Sequence, residues 1–183
     1  MFARILIAYD GTADKFFVTH LELSLEEAKH LHNKYYKEYG LAIEGLTRHH
    51  TIDPLEFNRE VDDALPLDRL IFPNPKLRKL LQDIDRTKVR LWLLTNAYVN
   101  HARRVVRLLG VEDLFEGITY CDYGRLPLVC KPSQEMYAKA EEDAGAPSTG
   151  DCYFVGTCSS FFFFFFFFFF FFFFFWCLGS NLY

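Results

Sequence analysis

The chain has no close pair of cysteines. Its five, Cys121, Cys130, Cys152, Cys158 and Cys177, are odd in number and stand at no metal-ligand spacing within 183 residues. A disulfide framework and a clustered thiolate metal site are thereby excluded, and a reducing cytoplasmic setting is the simplest, with the nucleus second. Positive charge is short as well: 20 Lys and Arg face 24 Asp and Glu, for a net charge of −4. No basic stripe offsets this balance, so nucleic acid is not an expected partner. Arg103, Arg104 and Arg107 make the densest basic cluster and read as a solvated helix face. No internal repeat is present, and the length suits one domain with a small inserted subdomain and a sizeable core. A secretory signal is not expected, because Met1-Phe2-Ala3-Arg4 leads into a short apolar stretch that ends at Asp10 without a cleavage-like site.

What the chain has in excess is phenylalanine. Residues 161–175 are an unbroken Phe run, which Trp176, Cys177 and Leu178 extend to 18 apolar residues. Length alone makes this a candidate membrane span, since about 18 such residues can cross a bilayer. Natural spans mix Leu, Ile, Val, Ala and Gly, however, and Phe is a middling helix former. A Phe homopolymer is also what a thymine-rich tract yields on translation. The expectation is therefore an intron read through, or a frame error, after Val155, which makes residues 156–183 an artefactual or disordered tail. No membrane is expected as partner, and a tail anchor is the outlying alternative.

Residues 3–9 (ARILIAY) read as a first buried strand, closed by the turn-like Asp10-Gly11-Thr12. Helices follow. Ser24 with Glu27 makes a capping box before the stripe Ala28, Leu31, Tyr35 and Tyr39, and Gly40 stops that helix. Asp53-Pro54 with Glu56 opens another, striped by Phe57, Val61 and Leu65, and Asn74-Pro75 opens a third, carrying Leu77, Leu80, Leu81 and Ile84. The pattern then alternates. A strand at 89–94 leads to a helix through Ala102, Val105, Val106 and Leu109 that ends at Gly110, and a short strand follows at 117–121. Lys131-Pro132 starts the next helix, which runs through Met136 and Ala140 to Gly145, before a strand at 152–155. A helical insert after one strand, then βα units, predicts an α/β fold: a doubly wound parallel sheet with a small helical cap. The expected divisions are 1–15 for the first strand, 16–85 for the cap region, 86–155 for the core and 156–183 for the tail.

The strand at 89–94 carries the chemistry. It is apolar enough to be buried on both faces of a parallel sheet, which sets Thr95 and Asn96 at its carboxyl end, where open α/β sheets bind ligands. A hydroxyl and the backbone N–H groups of the next turn can hold a phosphoryl oxygen, and Lys131, one βα unit later, can neutralise its charge. The competing reading is that Thr95 or Asn96 only caps the next helix. Tyr35, Tyr36, Tyr39, His49 and His50 are candidates to meet a nucleobase; otherwise the tyrosines are packing residues and the histidines solvated. Asp62-Asp63 has the form of a metal pair and is expected on an exposed helix face.

Several segments together resemble a known family: Leu93-Leu94-Thr95-Asn96-Ala97, His101-Ala102-Arg103-Arg104, Leu109-Gly110-Val111, Tyr120-Cys121-Asp122-Tyr123 and Cys130-Lys131-Pro132. The chain resembles the haloacid dehalogenase-like phosphatases, and among them the fungal pyrimidine 5′-nucleotidases. The likeness extends back through Phe17-Val18-Thr19-His20-Leu21, Tyr35-Tyr36-Lys37-Glu38-Tyr39-Gly40-Leu41-Ala42 and Val61-Asp62-Asp63, covering roughly residues 16–155. The resemblance implies a Rossmann-like core. It also implies an aspartate nucleophile on strand one that forms an aspartyl-phosphate, a second aspartate two residues later as general acid and base, and Mg2+. Carboxylates and phosphate repel, so the cation and a lysine must screen the approach and the transition-state charge. By resemblance, Thr95 binds the transferring phosphoryl group, Asn96 contributes its backbone N–H, Lys131 holds nucleophile and phosphate together, and Asp10 is the acid/base and a metal ligand. The implied partner is a small phosphorylated substrate, UMP or CMP.

Two positions depart from the family pattern. Its strand-one motif is Asp-x-Asp followed by a small residue and Thr, and the nearest match is Ala8-Tyr9-Asp10-Gly11-Thr12, with Ala8 in the nucleophile's place. After Tyr153-Phe154-Val155 the family carries an acidic pair for magnesium, where this chain has Gly156-Thr157. A methyl group neither attacks phosphorus nor ligates a metal, so a severe loss of turnover is expected. Three readings stay open: an impaired phosphohydrolase, a non-catalytic module that binds phosphorylated ligands through Thr95, Asn96 and Lys131, and a nonfunctional product. Residues 4–12 also resemble the opening strand of universal stress proteins, a nucleotide-binding class, but the likeness stops after about a dozen residues and no later glycine-rich phosphate loop follows.

Overall fold

Side-chain caps start the helices that begin at Leu25, Pro54, Pro75 and Gln134. In the computed structural model, which describes residues 2–155 and 173–178, the chain divides into two units. Met1–Leu70 with Asp122–Val129 make the first, and Ile71–Cys121 with Cys130–Tyr183 the second. The element order is helices first, and then the β and α elements that the pattern predicts for residues 89–155.

The first unit holds α1 (Phe2–Leu21), α2 (Leu25–Tyr39), α3 (Ala42–His49) and α4 (Pro54–Phe57), the last running on into a π-helical turn at Asn58–Asp62. Ahead of α2 the Ser24 hydroxyl accepts from the Glu27 amide at 3.4 Å, and the Glu27 carboxylate accepts from the Ser24 amide at 3.0 Å. Gly40 ends α2 at φ 74°, a left-handed conformation that is cheap only without a Cβ. Asp53 caps α4 by accepting from the Leu55 amide at 2.9 Å.

The expected first strand at 3–9 is corrected: these residues lie inside α1. Burial explains why. Ile5, Tyr9, Ala13, Phe16 and Phe17 are buried at helical spacing, whereas Ile7, which a strand buried on both faces would cover, is 71% exposed. Asp10-Gly11-Thr12 makes no turn either. The helix runs through it, and the Thr12 hydroxyl donates back to the carbonyls of Ala8 at 3.1 Å and Tyr9 at 2.9 Å. With the strand goes the structural basis of the likeness to universal stress proteins.

The expected place of Asp62 is corrected too. Asp62 is 2% exposed, because the π-turn widens the helix by a residue and rotates this position inward, leaving Asp63 on the surface. Burial, then the Asp63 charge, pushes its carboxyl well above the usual range. The tyrosines and histidines singled out in the sequence engage one another. Tyr35 Oη and His50 Nε2 lie 2.7 Å apart, Tyr39 Oη and His49 Nε2 lie 2.6 Å apart, and the Tyr35 and His49 rings stack at 5.4 Å. The junction of α2 and α3 is this close because residue 45 is glycine, where a Cβ would stand 2.2 Å from the Tyr35 ring.

The second unit holds α5 (Pro75–Gln82), β1 (Val89–Thr95), α6 (Val99–Leu109), β2 (Gly117–Tyr120), α7 (Gln134–Ala144), β3 (Cys152–Val155) and β4 (Phe173–Leu178). Asn74 caps α5 by accepting from the Leu77 amide at 3.1 Å, and Ser133 caps α7 by accepting from the Met136 amide at 3.3 Å. Gly110 and Gly145 end α6 and α7 in left-handed conformations, as the sequence predicts. The strands form one sheet in the order β2-β1-β4-β3. β1 and β2 are parallel, with Thr95 opposite Tyr120, and β4 is antiparallel to both β1 and β3.

A polar relay ties β1, β2 and α7 together. Trp92 Nε1 donates to the Thr119 hydroxyl at 2.9 Å, and that hydroxyl donates to the Asp143 carboxylate at 2.7 Å. Within the tail that the sequence reading set apart as artefactual or disordered, residues 173–178 form β4. Phe favours pleated, half-buried surfaces, and β1 and β3 offer edges that an antiparallel strand can pair without a crossover helix. Residues 156–172, with Gly156-Thr157 and most of the proposed span, lie outside the described residues. Among the described residues, no helix is long and apolar enough to cross a membrane.

Candidate functional site

β1 ends at the site. Leu91, Leu93 and Leu94 are buried, so the strand is fixed by its apolar side chains on both faces and delivers Thr95 at the carboxyl edge of the sheet. The Thr95 hydroxyl, itself buried, accepts from the Ala97 amide at 3.0 Å and so shapes the turn. Neither Thr95 nor Asn96 caps α6; its N-cap is Tyr98, whose side chain makes no capping bond. The capping alternative for Thr95 and Asn96 is thus not realised. The positive end of the α6 dipole, at Val99, follows Thr95 by one short turn of chain.

Asn96 does a different job. Its side-chain oxygen accepts from the Lys131 amide at 2.7 Å, and its side-chain nitrogen donates to the Lys131 carbonyl at 3.0 Å. This reciprocal pair clamps the backbone of residue 131 to the end of β1, although 35 residues separate the two in sequence. The Lys131 ammonium position is then set by the strand. Nζ donates to the Leu94 carbonyl at 3.3 Å, and the residue is 6% exposed. Burial lowers its pKa to about 6, with Cys130 acting in the opposite direction. The structure therefore brings Thr95, Asn96 and Lys131 together in one unit.

Thr95, Asn96 and Lys131 lie in the second unit, whereas Asp10 lies on α1 in the first. Burial raises its carboxyl pKa, His32 lowers it and Asp14 raises it again. Asp14 is itself held by His32, whose Nδ1 lies 2.9 Å from its carboxylate. Two residues that the sequence reading did not single out for the site stand at the same sheet edge. Tyr120 is opposite Thr95, and its ring meets that of Tyr98 edge-on at 6.0 Å. Their signal in the sequence was position alone, one just past the first strand's end and one at the end of the second.

A hard divalent cation needs several convergent oxygen ligands. Among the described residues, no three His, Cys, Asp or Glu side chains converge to hold an ion. The residue expected to ligate, Asp10, sits mid-helix among Asp14 and His32, so the described residues do not fit the magnesium that the resemblance implies.

Haloacid dehalogenase-like hydrolases match residues 7–156 as a family. The chain belongs to that family. It is also 38% identical over 161 residues to Phosphate metabolism protein 8 of Saccharomyces cerevisiae, a match covering 83% of this chain and 50% of the relative. The chain thus spans about half the length of the curated relative it matches. As a haloacid dehalogenase-like hydrolase it has the expected α/β core with a parallel β1–β2 pair, and β4 lies past the residues that carry the family match.

Proposed function

We propose that the second unit grips the phosphoryl group of a pyrimidine nucleoside monophosphate, UMP or CMP, in a cytoplasmic phosphohydrolase whose attacking half this chain does not supply. The observation that carries the proposal is the Asn96–Lys131 clamp, which sets a hydroxyl, the amides of a turn and an amine at the carboxyl end of one strand. A hydroxyl, the amides of a turn and an amine grouped at one strand end suit a phosphoryl group with its several acceptor oxygens. Membership of a hydrolase family supports this, as does the relative whose name refers to phosphate metabolism. The half-buried rings of Tyr98 and Tyr120 support a planar base next to the phosphate. Ala8 offers no nucleophile, so turnover is impaired.

The buried amine adds a proton to the account. With a pKa of about 6, Lys131 is mostly neutral at pH 7, and an arriving phosphate dianion draws a proton onto it. Binding therefore takes up a proton. The test is calorimetry with UMP and CMP in buffers of different ionisation enthalpy, beside phosphate release measured with magnesium added. The expected result is binding with proton uptake, weakened at least about tenfold in Lys131→Ala, and release close to background. UMP and CMP binding that is absent, or unchanged in Lys131→Ala, overturns the reading. The helical setting of Ala8 and Asp10 favours a second reading, a module that binds without chemistry. Residual release that falls with Lys131→Ala marks an impaired enzyme, and binding with no release marks the module.

A further inference from the structure

A buried amine is a nucleophile as well as a base. Lys131 is 6% exposed, so desolvation favours its uncharged form, and its Nζ donates to the Leu94 carbonyl at 3.3 Å. An amine that spends one N–H on a carbonyl can still offer its lone pair to an electrophile. The two Asn96 bonds, at 2.7 and 3.0 Å, hold the Lys131 backbone at the end of β1, where Thr95 and the turn after it lie. The cluster thus groups a nucleophilic amine with donors suited to an anion. A covalent reagent must reach Nζ itself, and the cover over it selects a small, uncharged one. Carbon dioxide is both. With a pKa of about 6, roughly nine-tenths of the amine is neutral at pH 7, against about one part in three thousand for an ordinary lysine.

We propose that Lys131 takes up carbon dioxide reversibly as a carbamate, whose carboxylate is held by the Thr95 hydroxyl and the amides of the turn after β1. The uptake rests on the buried amine and the donors grouped with it; that phosphate competes with it rests on the phosphohydrolase reading. The Nζ lone pair attacks the carbon of carbon dioxide, one C–O π bond breaks onto oxygen, and a proton leaves the nitrogen for solvent. Amine and carbon dioxide therefore give a carbamate anion and a proton, and nothing is oxidised or reduced. The nitrogen keeps one N–H, which is enough to retain the bond to the Leu94 carbonyl. The new carboxylate presents two acceptor oxygens to donors whose fit for an anion does not depend on phosphorus. The two events have opposite proton balance: phosphate binding draws a proton onto Lys131, and carbamate formation releases one. A carbamate also puts negative charge where a dianion needs positive, so each ligand excludes the other.

The test exposes the full chain to isotope-labelled carbon dioxide at pH 7, traps carbamates as ethyl esters with triethyloxonium, and locates the label by mass spectrometry of peptides. The Lys131 peptide should carry at least about tenfold more label than the peptides of the exposed Lys76 and Lys88 in the same sample. That comparison lies within the wild type, so it does not depend on a variant folding. Thr95→Val, which removes the hydroxyl, should lower the Lys131 label several-fold. Label at Lys131 no greater than at Lys76 and Lys88 overturns the carbamate, and UMP calorimetry then decides the phosphate reading separately. Enriched label that Thr95→Val leaves unchanged overturns the place given to the carboxylate. Enriched label suppressed by saturating UMP upholds the carbamate and the phosphate reading together. Enriched label that saturating UMP leaves unchanged upholds the carbamate and overturns the phosphate reading.

Discussion

Replacing Lys131 by methionine should make the protein more stable at neutral pH and remove a pH dependence that the wild type has. The amine is buried, and its pKa falls from 10.5 to about 6 in the fold. Between those values the unfolded chain carries a proton that the folded chain does not, so stability rises with pH across that window. It is full above about 10.5 and is lost progressively as pH falls towards about 6. At about 1.4 kcal/mol per unit, holding the amine neutral costs on the order of 5 kcal/mol at pH 7 and about 2 kcal/mol at pH 9. Methionine keeps the volume and removes the cost, while leaving the Leu94 carbonyl without the amine's 3.3 Å hydrogen bond, a loss of about 1–3 kcal/mol that does not vary with pH. The slope of the difference isolates the amine. Urea unfolding of wild type and Lys131→Met followed by tryptophan fluorescence suits the measurement, because both tryptophans, Trp92 and Trp176, belong to the second unit. From pH 7 to pH 9 the wild type should gain about 3 kcal/mol on the variant. A difference that stays flat across that range would show the amine charged in the folded state, and the argument for proton uptake on phosphate binding would fall with it.

Asn96→Ala should cost about 2–4 kcal/mol in the same urea assay, since it removes both bonds of the clamp to the Lys131 amide and carbonyl, and calorimetry should show UMP binding weakened with it. Asp62→Asn should flatten the stability profile between acid and neutral pH. The folded carboxyl is pushed up, so it retains a proton that the unfolded chain loses above about 4, and the wild type's stability, full below that point, declines as pH rises. Gly117→Ala should destabilise by about 1–3 kcal/mol, because a Cβ there would stand 2.0 Å from the Trp92 ring; thermal unfolding of Gly117→Ala with and without Trp92→Phe checks whether the smaller ring relieves the loss.

Local chemistry was legible wherever one residue type has one conformational use. The Ser24–Glu27 box, Asn74 ahead of α5, and Gly40, Gly110 and Gly145 behind their helices all sit where their side chains, or the lack of one, demand. Strand β1 was legible for a related reason, since a run such as Leu91-Trp92-Leu93-Leu94 is stable only if covered. Residues 3–9 misled because apolar content does not carry a period of its own. ARILIAY fits a buried strand and also one stripe of a helix, and the choice was made by Ala13, Phe16 and Phe17, which continue the helical spacing from Ile5 and Tyr9 beyond the segment. Gly11 did not veto the helix: its missing Cβ would meet nothing within 4 Å, so it sits on an open face at a cost of about 1 kcal/mol.

The grouping of Thr95, Asn96 and Lys131 at one strand end was legible, but its mechanics were not. Thr95, Asn96 and Lys131 could be named from strand position and charge, yet a sequence cannot say that Asn96 spends its side chain on the backbone of residue 131. Nor can it say that the amine arrives buried and close to neutral. Those facts depend on a contact spanning 35 residues, and they change what the group can do. A charged lysine held on a surface loop would attract any anion, and less so as ionic strength rises. A neutral amine that must gain its proton from solvent discriminates by charge instead, because only a ligand carrying enough negative charge to raise its pKa by more than about one unit charges it at pH 7. Monoanions should therefore bind far more weakly than phosphate dianions at this strand end. The selectivity comes from the clamp that keeps Lys131 under cover, so opening the clamp with Asn96→Ala should weaken dianion binding while narrowing its margin over sulfonate or carboxylate ligands of the same size.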